Sequence, residues 1–208
     1  LNTQVGEGAI LKSDARVMGD GGQVIVWSDD TTTFRGDISA RGGALGGDGG
    51  FAEVSGKQHV LVDGHADLRA PLGKAGLLLL DPGTVNIRVG GNTNSNDDEF
   101  NDGWINNQLT LGSLSILTDN ASAGAEDILF DANVAISWAN TNTLTFDAGA
   151  NITFNSGVSI TDGGSGGTLV LNFGQDGGAS SMDLSGATVD VDAITIAGGA
   201  GTNALIGA

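Results

Sequence analysis

The 208-residue chain has no cysteine, no tyrosine, only two prolines, and no lysine or arginine after residue 88. Without cysteine there is no disulfide framework and no thiolate metal site, so the core must be held by packing and hydrogen bonds alone. With aromatic residues at 5%, that core is made of Val, Ile, Leu and Ala. No apolar run approaches the length of a membrane-spanning helix, and no basic segment followed by an apolar one marks a leader. With Leu1 in place of Met, the chain is expected to be processed or an excerpt. The missing cations are localised. Residues 1–88 carry all eight Lys and Arg against 11 acids, whereas residues 91–208 carry 14 acids and no Lys or Arg, for a net charge of −17. Such a surface repels phosphate backbones and anionic lipid, which disfavours nucleic-acid binding and membrane insertion and favours divalent cations or cationic surfaces.

What the chain has in abundance is turn formers. Thirty-six glycines, with frequent Asn, Asp, Ser and Thr, interrupt it every few residues, which disfavours long helices and leaves short strands with tight corners. The strands repeat. Asp127-Ile-Leu-Phe-Asp-Ala-Asn-Val-Ala-Ile-Ser137 returns 24 positions later as Asn151-Ile-Thr-Phe-Asn-Ser-Gly-Val-Ser-Ile-Thr161. A recurrence of that length, built from apolar-x-apolar triplets, is the pattern of one coil stacked on the next. Three triplets per coil can be placed: Leu114-Ile116, Ile128-Phe130 and Val134-Ile136, then Leu144-Phe146, Ile152-Phe154 and Val158-Ile160, then Leu169-Leu171, Met182-Leu184 and Val189-Val191, with Ile194-Ile196 opening a fourth coil. Each triplet buries two side chains and exposes one. The expected fold is all-β, a parallel β-helix (solenoid) with three short strands per coil and on the order of seven to nine coils.

The N-terminal half shows a looser echo near 28 to 30 residues. Gly21-Gly-Gln-Val-Ile-Val26 matches Gly49-Gly-Phe-Ala-Glu-Val54, and Asp37-Ile-Ser-Ala40 matches Asp67-Leu-Arg-Ala70. The expected organisation is one continuous solenoid in three parts: long-repeat coils over 1–89, a polar acidic loop or junction over 90–108, and coils of about 24 residues over 109–208. Residues 120–126 and 174–181 are expected to project as loops. Unpaired terminal coils would invite pairing between identical copies into a homopolymer.

Three segments between Gly21 and Pro82 resemble a block of the filamentous haemagglutinin-like exoproteins of bacterial two-partner secretion: Gly21-Gly-Gln-Val-Ile-Val-Trp-Ser28, Gly46-Gly-Asp-Gly-Gly-Phe-Ala-Glu-Val-Ser-Gly-Lys57, and Asp67-Leu-Arg-Ala-Pro-Leu-Gly-Lys-Ala-Gly-Leu-Leu-Leu-Leu-Asp-Pro82. Trp104-Ile-Asn, residues 128–138 and Leu144-Thr-Phe…Asn-Ile-Thr-Phe154 are also similar to repeats in those proteins. The resemblance implies a right-handed parallel β-helix, secreted and displayed at the cell surface, serving adhesion, matrix or biofilm building, or assembly into filaments. It implies as partners a host or neighbouring cell surface, a glycan or a matrix component. The secretion domain's motifs are missing from this chain, so the resemblance is to a shaft segment.

Two alternatives compete with a structural shaft. Polysaccharide lyases and hydrolases need carboxylates and a cation on one face, and Asp37, Asp63, Asp67, Arg35 and Arg69 are the candidates. The bland reading makes Asp37 and Asp67 equivalent turn residues, with Arg69 offsetting their charge. A Ca²⁺-dependent module needs clustered hard oxygens, and Asp97, Asp98, Glu99 and Asp102 are the densest acids. They fail the EF-hand pattern, because Phe100 falls at the third ligand position when Asp98 is the first. His59 and His65 flank Val60-Leu-Val62 with no established zinc spacing and read as surface polar residues. Trp27 and Trp104 are candidate glycan contacts, while Trp138 has the parity of a core residue. No residue is singled out as catalytic, and no cofactor other than Ca²⁺ is considered.

Overall fold

The computed structural model describes residues 1–118, 126–177 and 179–205. They form a parallel β-solenoid with three faces. The first face is one seven-stranded sheet whose strands, in stacking order, are Gln23–Ser28, Phe51–Gly56, Leu77–Asp81, Ser113–Leu117, Thr143–Ala148, Thr168–Phe173 and Ala193–Gly198. Seven coils at roughly 4.8 Å each give a stack about 30 Å long. The other faces hold two three-stranded sheets in the N-terminal part, and a six-stranded and a three-stranded sheet in the C-terminal part.

Alternation along the first face sorts the side chains into axial files. Val26, Val54, Leu80, Ile116, Phe146, Leu171 and Ile196 stand in register on the inner side. The 24-residue echo is the register itself, with Ile128 opposite Ile152, Phe130 opposite Phe154 and Ile136 opposite Ile160. Phe130 stacks on Phe154 at 4.4 Å between ring centroids and meets Phe146 edge-on at 4.9 Å, both favourable aromatic geometries. One buried cluster runs from Val26 to Leu184, so the core is continuous across residues 89–111. The tight corner repeats too. Asn133 (φ 64°) and Gly157 (φ 80°) both take the left-handed conformation that Asn and Gly tolerate best.

Corners interrupt the backbone ladder, and side-chain oxygens restore it. Asp20 Oδ1 accepts the amide of Asp48 (2.7 Å), whose own Oδ1 accepts the amide of Lys74 (2.8 Å). Asp127 Oδ1 accepts from Asn151 N (2.9 Å), and Asn151 Oδ1 accepts from Ser181 N (2.8 Å). Asp14 Oδ1 accepts from Arg41 N (2.9 Å) and Asp162 Oδ2 from Asp192 N (3.0 Å). Each acceptor reaches one coil forward, so the side chain does for the turn what a carbonyl does for the strand.

The structure departs from the expected organisation at the junction. Residues 90–108 contain a strand, Glu99–Asn101, and most of a helix, α1, Asp102–Leu111. After Val85–Arg88 the chain loops out and returns to lay Glu99–Asn101 parallel to that strand. The returning strand takes the N-terminal side, against His59–Val62, where the Asp98 amide donates to the Val60 carbonyl (2.8 Å). Helix α1 then fills the third face between Ala66–Asp67 and Ala135–Ser137. Two registers also differ. Ser39, not Asp37, is the coil equivalent of Asp67, and the third strand of the sixth coil is Ala187–Asp190, with Val158 opposite Ala187. Residues 120–125 of the first expected loop lie outside the described residues. In the second, Gly174 and Gly177 take left-handed turns.

The coils approach closely where glycines meet. A Cβ added to Gly49 would run into the Leu68 carbonyl and the Gly76 amide, whereas one added to Gly91 would meet nothing within 4 Å. Gly49→Ala is therefore expected to cost about 1–3 kcal/mol, lowering the melting temperature by roughly 2–10 °C for a chain of this size. Gly91→Ala should melt within the roughly 0.5 kcal/mol typical of surface changes. Equal melting of the two variants by circular dichroism would contradict this packing.

Candidate functional site

The insertion at 89–111 gathers most of the residues that the sequence marks as candidates, and it uses them as supports. Helix α1 replaces a strand without breaking the ladder on either side. The Gln108 side-chain amide pairs with Ala66 through both its atoms: Oε1 accepts from Ala66 N and Nε2 donates to Ala66 O, each at 2.9 Å. On the other side Asp102 Oδ2 accepts from Ala135 N (2.9 Å) and Asn106 Oδ1 from Ser137 N (2.8 Å). Asn140 and Asn142 donate to the Leu109 carbonyl at 2.9 and 2.7 Å, satisfying a group that a helix end leaves open. The loop before the helix is pinned by buried Asn94, which donates to the Val62 carbonyl (2.6 Å) and accepts from Asn101 N (2.9 Å). Gln108, Asn106 and Asn94 escape a search for chemical motifs. The signal for the helix is the spacing of Trp104, Ile105, Gln108 and Leu109, all buried, at helical period.

The four acids proposed for Ca²⁺ diverge. Asp102 is buried, and its Oδ1 accepts from Gly90 N (2.9 Å) and Gly103 N (2.8 Å), so both its oxygens serve backbone amides. Asp98, in a left-handed conformation (φ 57°), accepts from Val60 N (2.8 Å) and from the His59 imidazole (2.6 Å). Glu99 meets Arg88 at 2.6 Å and accepts from Asn96 Nδ2 at 2.7 Å. These partners outweigh burial and hold its carboxyl below the ordinary value. Asp97 is exposed. Among the described residues no group of three or more His, Asp or Glu side chains is placed to hold a metal ion.

The two histidines also separate. His65 is partly buried and stacks on Trp104 at 5.5 Å between ring centroids, and burial holds its imidazole below the usual 6.5. Trp104 is 0% exposed and donates to the Gly64 carbonyl (3.2 Å), so it offers no face to a sugar and leaves the glycan candidates. Trp138 is buried, as its parity requires, and donates to the Asn142 carbonyl (3.2 Å). Trp27 is 46% exposed on the outer side of the first face, with Lys57 Nζ 5.8 Å from its ring. The carboxylates of the lyase set have partners of their own. Arg69 clamps Asp67 through two hydrogen bonds of 2.8 and 2.7 Å, which with Arg41 overcome the effect of burial and hold the Asp67 carboxyl below its ordinary value. Asp63 accepts from Asn94 N (2.8 Å), and Asp37 makes a long contact to His65 N (3.4 Å).

A separate concavity, a shallow groove of about 900 Å³, crosses the outer side of the first face. Its floor is made of outward residues in register: Gln23, Phe51 and Leu77 on the first three coils, then Ser113, Ser115, Thr143 and Thr145 on the next two. The corner ladder of Asp20, Asp48 and Lys74 lines one flank. Compared with known proteins, the chain matches no protein-family model, no curated protein and no solved structure.

The His59–Asp98 contact gives the insertion a pH dependence. The Asp98 carboxylate raises the His59 pKa above 6.5, against a smaller opposing effect of burial, while burial pushes the Asp98 carboxyl up. Both partners hold the shared proton more tightly in the folded chain. A group with a raised folded pKa contributes its full stability below the unfolded value and loses it as pH rises through the folded one. The contribution of His59 is therefore present at pH 5.5 and lost towards pH 8.5. Because the imidazole is 54% exposed, solvent screening limits it to about 0.5–1 kcal/mol. His59→Gln should lower the melting temperature by roughly 1–4 °C at pH 5.5 and leave it nearly unchanged at pH 8.5. A gap of the same size at both pH values would exclude this account. Asp102→Ala strands three amide donors at roughly 1–3 kcal/mol for each buried group left unpaired. It should speed hydrogen exchange at Ala135 and Gly90 while the Thr143–Phe173 region stays protected.

Proposed function

We propose that this chain is a non-catalytic shaft segment of a secreted surface protein, one that extends, adheres or builds matrix outside the cell. The observation that carries the reading is the employment of its titratable groups. Of the carboxylates that the sequence offers as acids, bases or metal ligands, Asp63, Asp98 and Asp102 accept backbone amides of other segments, and Asp67 and Glu99 are held by arginine. A catalytic carboxylate has to be free to exchange a proton with substrate, and one whose oxygens cap the ladder cannot leave it without opening the fold. The resemblance of residues 21–161 to filamentous haemagglutinin-like exoproteins supports the same reading, and a continuous core stacked along one axis suits a protein that has to span distance. The partners that fit are a host or neighbouring cell surface, a glycan or a matrix component.

The reading is tested in the cells that produce the protein. Antibody raised against residues 1–208 should label intact cells, and external protease should remove the label. Labelling only after permeabilisation would overturn the proposal, as would release of an unsaturated, ultraviolet-absorbing product from polygalacturonate by the purified chain.

A further inference from the structure

We infer that the groove on the outer side of the first face is a binding site for a linear glycan of neutral sugars, lying along the solenoid axis. The inference rests on the adhesive reading above and names its ligand. The floor crosses five consecutive strands, from Gln23 to Thr145, a span of roughly 19 Å at the strand spacing. It changes character along its length. Phe51 and Leu77, both partly exposed, form an apolar step, and the hydroxyls of Ser115, Thr143 and Thr145 follow on the next coils. Ser113 Oγ already accepts the Thr143 amide (3.0 Å), whereas Ser115 and Thr145 make no side-chain hydrogen bond among the described residues. An apolar step on two coils followed by outward hydroxyls on the next two matches a ligand that offers both apolar ring faces and hydroxyl edges along its length.

The same residues argue against other occupants. Four of the five strands of the floor, from Phe51–Gly56 to Thr143–Ala148, are hydrogen-bonded on both sides, so an extended peptide lying in the groove finds no free ladder to join except at the end strand Gln23–Ser28. Polyanions, including nucleic acids and uronic-acid polymers, meet Asp20 and Asp48 with Lys74 as the one cation of the lining, a balance that repels them. The hydroxyl floor lacks the continuous apolar surface that a lipid chain requires. Neutral sugars carry no charge to be repelled and have donors for the carboxylate oxygens and acceptors for the hydroxyls.

The test is calorimetric titration of the 208-residue chain with neutral linear hexasaccharides: cellohexaose, laminarihexaose, mannohexaose and N-acetylchitohexaose. At least one should bind, and at least about tenfold more tightly than its disaccharide, since the groove spans several sugar units. Ser115→Arg, which fills the groove, and Phe51→Ala, which removes the apolar step, should each weaken that binding by about tenfold. Thr153→Arg, exposed on the second face, should not. Should Ser115→Arg fail to fold, Phe51→Ala decides alone. The site assignment is overturned if no hexasaccharide binds, if the groove variants bind like the unaltered chain, or if polygalacturonate binds more tightly than every neutral oligomer. Each of these results leaves surface labelling of cells intact, so the shaft reading stands or falls separately.

Discussion

Everything in this fold depends on one constraint: the backbone hydrogen bonds run along the axis, from coil to coil, and must not be interrupted where the chain turns. A strand satisfies this by itself, because parallel pairing gives each amide a carbonyl one coil away. A corner does not. An unpaired buried amide costs about as much as a lost hydrogen bond several times a coil, so a solenoid of short strands has to find acceptors that its backbone lacks. Here they are Asp and Asn side chains pointing one coil forward, as in the run from Asp20 through Asp48 to Lys74 and the run from Asp127 through Asn151 to Ser181. The corners also have to be narrow, which is why Gly49 and Gly76 sit where neighbouring backbone leaves no room for a side chain.

That requirement bears on the charge. Asp is a short acceptor-only side chain when ionised, suited to a turn amide, and at many corners the chain uses it in preference to Asn. Part of the acidity of the cation-free half is therefore structural before it is functional, as at Asp127 and Asp162. Clusters of carboxylates that resemble metal or catalytic sites in one dimension separate in three, because their members are claimed by different partners. Asp98 and Asp102 are four residues apart, yet one serves Val60 in an earlier coil and the other Ala135 in a later one.

The repeat was legible because it is written in apolar residues whose period equals the coil length. The 24-residue echo gave the true register at Ile128, Phe130 and Ile136, and the Gly21 and Gly49 blocks aligned at 28. Similarity misled where it rested on a polar tetrad. Asp37-Ile-Ser-Ala and Asp67-Leu-Arg-Ala look equivalent, but the chain slips by two residues, since an even shift keeps the same face inward and costs the core nothing. The helix was hidden for a different reason. Its apolar residues are few, its glycine and asparagines read as loop, and what holds it is tertiary: Gln108 against Ala66, Asp102 and Asn106 against Ala135 and Ser137. Trp104 misled for the same reason, since its burial follows from the helix that the sequence concealed.

The insertion also explains why the two halves of the solenoid differ. Glu99–Asn101 steps backward against the direction of coil growth, so the second face gains a strand where the first face gains none. The third face at that level cannot then be a strand of the same coil, and α1 closes the difference by presenting side-chain amides to both neighbours. Helix α1 ends at Leu111, and Gly112 leads directly into Ser113 on the first face, whereas the preceding coils reach that face through the longer connections 40–50 and 68–76. The floor changes there from Phe51 and Leu77 to Ser113, Ser115 and the threonines. The device that repairs the ladder thus falls at the boundary between the apolar and hydroxyl parts of the groove, and the same local break in the repeat organises both the stability of the solenoid and the chemistry of that groove.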